Sequence, residues 1–202
     1  MTRLLLYLSL ILSFLTSTLL SLPLVQPAPS PTPPPAPIRL QAATFVPGRD
    51  ETPALPAHLT ITGYPEGQPG YYIVQFRGPV QPAWKAQVAA LGVQFLAYIP
   101  DFAFKVRMTP AQARQVERLP TVSWVGLFHP AYKLSPSLIR EGTRLYRVRV
   151  ERGADTGLVT SALANLGVTV LSHQGDLLLI VSDAALLDSI AQVPDVAWIE
   201  NF

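Results

Sequence analysis

The sequence predicts an α+β protein: two tandem ferredoxin-like sandwiches, each strand, helix, strand, strand, helix, strand, behind a disordered Pro-rich leader. Two observations carry this expectation. The stretch from Tyr71 to Phe128 is repeated more loosely from Leu145 to Phe202, and hydrophobic spacing inside each copy switches between period two and a helical period in that order. Tyr71–Phe76 lies over Leu145–Val150, Leu91-Gly92-Val93 over Leu166-Gly167-Val168, Asp101–Val106 over Asp176–Val181, and Leu119–Val125 over Val193–Ile199. The offset is 74 residues at the first and last blocks and 75 at the middle two, so the blocks stay in order with one residue gained and lost. Each copy is under about 60 residues, a size that buries only ~60% of its unfolded surface and gains much from a partner.

Residues 1–25 open with Thr2-Arg3 and continue as an almost wholly apolar run from Leu4 to Val25. A short basic start before an apolar core is an export-signal pattern, and the run also approaches the ~20 residues of a membrane span. Pro23 and the lack of a following stop-transfer charge favour a cleaved signal over a retained anchor. Gln26, at minus three from Ala28, is a poor cleavage match and is the anchor's best argument. Secreted or extracytoplasmic localisation follows in either case. Residues 26–70 read as a Pro-rich extended linker: Pro27 to Pro37 as polyproline II, then an extended lead-in from Ile38 to Gly70 with scattered Phe45, Leu55, Leu59, Ile61 and Tyr64, able to lie against the first repeat.

The first sandwich is expected over 71–133. Tyr71–Phe76 is a strand ended by Arg77-Gly78-Pro79. Pro82 opens a helix whose Trp84, Val88 and Leu91 share one stripe, and Gly92 closes it. Val93–Ile99 and Phe102–Met108 are strands joined by Pro100-Asp101. In the second, Phe102, Phe104 and Val106 take the buried side, while Ala103, Lys105 and Arg107 take a wetter one. Thr109-Pro110-Ala111-Gln112 is a capping box with Pro at the first helical position, and Pro120 ends that helix before the strand Val122–Phe128. His129–Thr143 joins the copies. The second sandwich, 144–202, replays the order, with Ser182 or Asp183 capping its second helix.

Lys plus Arg total 15 against 13 Asp plus Glu, a net charge of +2 with 14% charged residues, which is no nucleic-acid footprint. The chain has no cysteine, so disulfides, thiolate metal sites and a cysteine nucleophile are excluded. His58, His129 and His173 lie apart from one another and from acidic neighbours in the sequence. Neither a metal nor a cofactor is expected. Asp155-Thr156-Gly157 matches the D-T-G of aspartic and subtilisin-like proteases, but it falls where a helix cap belongs. No H-G-T-H or G-T-S-M-A follows, so no catalytic set is expected. Trp124 and Trp198 occupy equivalent places in the fourth strands and read as core aromatics, from which Trp198→Ala should cost ~3–5 kcal/mol. Arg147, Arg149 and Arg152 read as one solvated side of a strand that could meet acidic groups on a partner.

The phrases Y-Y-I-V-Q-F-R-G-P-V and L-P-T-V-S-W-V-G, with V-P-D-V-A-W-I-E-N at Val193–Asn201 and the Pro-rich exported leader, resemble the N-terminal propeptide region of bacterial secreted subtilisin-like serine proteases. The resemblance spans roughly Tyr71 to Phe202. It implies prodomains whose sheet face packs on two surface helices of the protease, assisting its folding and inhibiting it through a segment after the last strand. Glu200, Asn201 and Phe202 would then be the root of an inhibitory tail. The chain would be a truncated or separated N-terminal part of an endopeptidase precursor, partnered by the catalytic domain in cis or in trans. A membrane-tethered tandem protein-interaction module without a protease partner is the alternative.

Overall fold

The computed structural model describes residues 36–48 and 53–202, so the signal or anchor at 1–25 and all but the end of the polyproline stretch lie outside the described residues. Two four-stranded antiparallel sheets dominate. The first repeat contains β3 (Gly70–Phe76), α1 (Pro82–Ala90), β4 (Gln94–Ile99), β5 (Ala103–Met108), α2 (Pro110–Glu117) and β6 (Val122–Leu127), after a short hairpin of β1 (Ile38–Arg39) and β2 (Thr44–Phe45). The second contains β7 (Thr143–Val150), α3 (Thr156–Asn165), β8 (Thr169–Gln174), β9 (Leu177–Asp183), α4 (Leu187–Gln192) and β10 (Val196–Asn201). Strand order is β4-β5-β3-β6 in one sheet and β8-β9-β7-β10 in the other, the same arrangement twice.

The two repeats agree even in their irregularities. β4 is bulged between Phe95 and Ala97 and β8 between Val170 and Ser172, while the last strands slip register at Val122/Trp124 and Val196/Trp198. A bulge twists an edge strand out of flat register, which suits β4 and β8, the exposed edges of the two sheets.

Alternation sorts the side chains as period two requires. Tyr72, Val74 and Phe76 turn inward with Val106 and Met108, and both helices cover them through Val88, Ala113 and Val116. In the second repeat Tyr146, Val148, Val150, Leu178 and Ile180 meet Val159, Leu163, Leu187 and Ile190. The Thr109 capping box is formed in both directions, Gln112 N–H to Thr109 Oγ1 at 3.3 Å and Thr109 N–H to Gln112 Oε1 at 2.7 Å. Gln112 also donates to the Leu91 carbonyl, tying the two helices together beside Gly92, whose φ is 82°. Asp183 caps the turn Ala184–Leu186, a 3₁₀ segment that runs into α4.

Two expectations are corrected. The outer face of the first sheet is not the wetter one, because Ala103 and Lys105 are buried there with Tyr71, Ile73 and Gln75. What covers it is the lead-in expected to be extended: it folds into the β1–β2 hairpin, and Ile38 and Phe45 pack on this face, with Phe45 edge-on to Trp124 and stacked on Tyr132. Arg39 holds Asp101 at 2.7 Å, and Gln75 donates to the Ala36 carbonyl at 2.9 Å. The remainder of 53–70 reaches both repeats: Leu59 joins the second core, Ile61 N–H donates to His129 Nδ1 at 3.2 Å, and Tyr64 packs on Tyr72. A proline-rich composition does not keep a segment in solvent when its few apolar side chains have an apolar sheet to bury against.

Candidate interaction surface

The two outer sheet faces have opposite fates. In the first repeat, β1–β2, the turn Pro130–Lys133 and one end of the second repeat close the face. In the second repeat the corresponding positions of β7 are Leu145, Arg147 and Arg149, all exposed, beside half-buried Leu177, Leu179 and Val181 of β9. Ile73 and Gln75, apolar or uncharged, are thus replaced by Arg147 and Arg149 where the face is open.

Trp198 stands on this open face, not in the core as expected. Alternation from Val196 would turn it inward, but the slipped register pairs it with Arg149 on the outer side. Its indole N–H donates to Glu200 at 3.2 Å and it is half-buried. Trp124 flips for the same reason, but in the first repeat it is partly covered by the β1–β2 hairpin and folds back over Gly126. There a Cβ would sit 2.1 Å from the ring. Trp198→Ala is therefore expected to cost about 1–2 kcal/mol, a drop of a few degrees in Tm measured by circular dichroism, since half-buried rings return half the area.

Of the remaining tail residues, Asn201 seals the β10 edge by accepting from Ile139 N–H at 3.0 Å and donating to the Ser137 carbonyl at 2.7 Å. Glu200 lies 3.9 Å from Arg147, and the Phe202 ring lies 5.0 Å from the same guanidinium.

Where the two repeats meet, a cleft of about 450 Å³ opens between Leu96, Ile99 and Lys105 on one side and Arg149, Arg152 and Trp198 on the other. Three polar contacts hold the joint behind it. Lys105 pairs with Glu151, both buried, and its ammonium lies 3.8 Å from the centre of the Phe128 ring. Tyr71 donates its hydroxyl to Asp195, and Lys133 donates to the carbonyls of Val193 and Pro194 at 2.8 and 3.2 Å. Burial pushes the Lys105 amine below its ordinary range, with Glu151 opposing the shift. Burial also pushes Lys133 down to about 7, with the nearby Lys105 charge adding to the effect. None of these long-range partners was legible from sequence spacing.

Asp155 is a cap: its carboxylate accepts from Gly157 and Leu158 N–H at 2.8 and 3.3 Å. Asp155→Ala should lose about 1 kcal/mol in urea denaturation. His58, without an acidic neighbour in sequence, meets Asp188 at 2.9 Å, and Arg140 holds the same carboxylate at 2.9 Å. His129 is half-buried, and His173 is exposed, with Nε2 2.7 Å from the Gly175 carbonyl. Among the described residues no group of three or more His, Cys, Asp or Glu could hold a metal ion, and no helix is long and apolar enough to cross a membrane.

Residues 39–129 match the family model of a domain of unknown function, DUF8729. The match covers just under half of the 202 residues and runs from Arg39, the second residue of β1, to just past the end of β6. No curated protein matches the chain in a sequence comparison.

Proposed function

We propose that the protein is an exported, non-catalytic module of the propeptide type that binds the catalytic domain of a subtilisin-like serine protease, assists its folding and inhibits it. One observation supports the reading above the rest: of two copies of the same sheet, one outer face is covered by its own chain and the other is open. On this reading the second repeat docks and the first serves as its rigid support. Small sandwiches suit such work, because binding a partner adds stability by mass action.

The full chain is to be mixed with a subtilisin-like catalytic domain from the same source, following peptide hydrolysis and the recovery of activity after dilution from denaturant. Slowed hydrolysis and faster recovery are expected. Leu179→Asp, at the middle of the open face, should weaken both at least tenfold while leaving the far-ultraviolet circular dichroism unchanged. Absence of both effects with the unmodified chain overturns the proposal.

A further inference from the structure

We infer that the open face of the second repeat recognises an acidic protein surface, with Arg147, Arg149 and Arg152 as the recognising groups. This rests on the reading of that face as the docking surface and adds the chemistry of what docks. Arg147 and Arg149 project outward from β7, and Arg152, just beyond the end of that strand, lines the same cleft as Arg149. Their internal pairings are slight. Arg147 has Glu200 at 3.9 Å, Arg149 has Asp176 at 3.2 Å, and Arg152 has no ion pair among the described residues.

Both pairs are about half exposed on each side, at 44% and 41% for one and 54% and 52% for the other. Pairs so open to water contribute little and are given up readily when a better acceptor arrives. Each guanidinium carries five N–H donors in a fixed fork that fits a carboxylate through two parallel hydrogen bonds, so the face offers far more donors than its own chain consumes. Lys105, buried in the cleft wall, and Lys133, buried beside it, are committed to the joint, which leaves the exposed arginines as the cations a partner meets.

The half-buried leucines and valine of β9, paired across from Arg147, Arg149 and Leu145, favour a protein surface over a bare polyanion, since a flat apolar strip adds contact area that phosphates cannot use. Charge complementarity of this kind raises the association rate and rejects basic surfaces more than it raises affinity, so salt should act mainly on binding speed.

The test uses two designed helical-hairpin proteins with the same leucine contact face, one flanked by glutamates and the other by lysines. Their binding to the immobilised full chain is followed by interferometry at 50 and 300 mM salt, in parallel with sedimentation of the chain alone. The glutamate probe is expected to bind at least tenfold more tightly than the lysine probe and to associate several-fold more slowly at the higher salt. The double substitution Arg147→Glu, Arg149→Glu should reverse the preference, with an unchanged melting curve showing that the fold is intact. Equal binding, preference for the lysine probe, or binding of neither overturns the inference. So does a dimer in sedimentation that the double substitution abolishes, which would make a second copy the occupant. If a protease domain is inhibited without regard to salt or charge reversal, the docking reading stands and this inference fails. If the glutamate probe binds but no protease is inhibited, the charge rule stands and the protease reading fails.

Discussion

Replacing Glu151 with alanine is expected to lower the unfolding free energy by roughly 3–5 kcal/mol, because it leaves the Lys105 ammonium buried without its counter-charge. Lys105 is 6% exposed and lies against the Phe128 and Tyr71 rings, so water cannot take over the role of the lost carboxylate. The pair as a whole is worth far less than either half suggests, since both charges were desolvated to form it. The double substitution Lys105→Met, Glu151→Leu should therefore return the chain to within ~1–2 kcal/mol of its original stability. Urea denaturation of the original chain, Lys105→Met, Glu151→Leu and the double substitution closes the cycle, with Glu151→Ala measured beside them. A midpoint unchanged in Glu151→Ala would show that the joint between the repeats does not depend on this contact.

The second large effect is a dependence of stability on alkaline pH. Lys133 is held down to about 7 from an ordinary value of 10.5, chiefly by burial and then by the Lys105 charge, while Glu151 and Asp195 pull the other way. Below about pH 7 the amine is protonated in both folded and unfolded chains, and the cost of burying the charge is present in full. Between about 7 and 10.5 the folded chain releases the proton first, so the unfolded chain binds more protons and stability rises with pH. The total gain is on the order of 3–5 kcal/mol. Tyr132, pushed up to about 12 by burial, and Tyr71, raised by burial and by its bond to Asp195, oppose the rise from about pH 10, their ordinary value, because there the unfolded chain gives up those protons first. Lys133→Met should reduce the rise, because one titrating group is gone and the Lys105 amine, also lowered by burial, still contributes. Guanidinium denaturation at half-unit steps from pH 6.5 to 10 measures the slope, and an identical slope in the variant would assign it to other groups.

Much of each repeat was legible because its signals are local. The alternation of Phe102, Phe104 and Val106 with Lys105 and Arg107 chooses the side that meets the helices without reference to anything distant. Thr109 and Gln112 close a box three residues wide, and Asp155 caps a helix two residues on. Trp198 was misread, and Trp124 joins the buried cluster under the hairpin and not the one under the helices, because a one-residue register slip turns every later side chain to the other face and carries no local signature. That the lead-in could lie on the first repeat was legible, but its hairpin was not, because Ile38 and Phe45 look isolated in a proline-rich context. Their partners, Tyr71, Ile73 and Tyr132, lie 33 residues or more away for Ile38 and 26 or more away for Phe45.

By itself the sequence determined that one small α+β unit occurs twice, which side of β5 meets the helices, and where most helices begin, all consequences of repetition, periodicity and capping that are written along the chain. Only the tertiary structure decided which outer face is left open, that two lysines are buried at the joint, and which way the tryptophans point. Those outcomes depend on surfaces from distant parts of the chain competing to cover one another. Exposure is a property of what arrives on a face, not of the residues that form it.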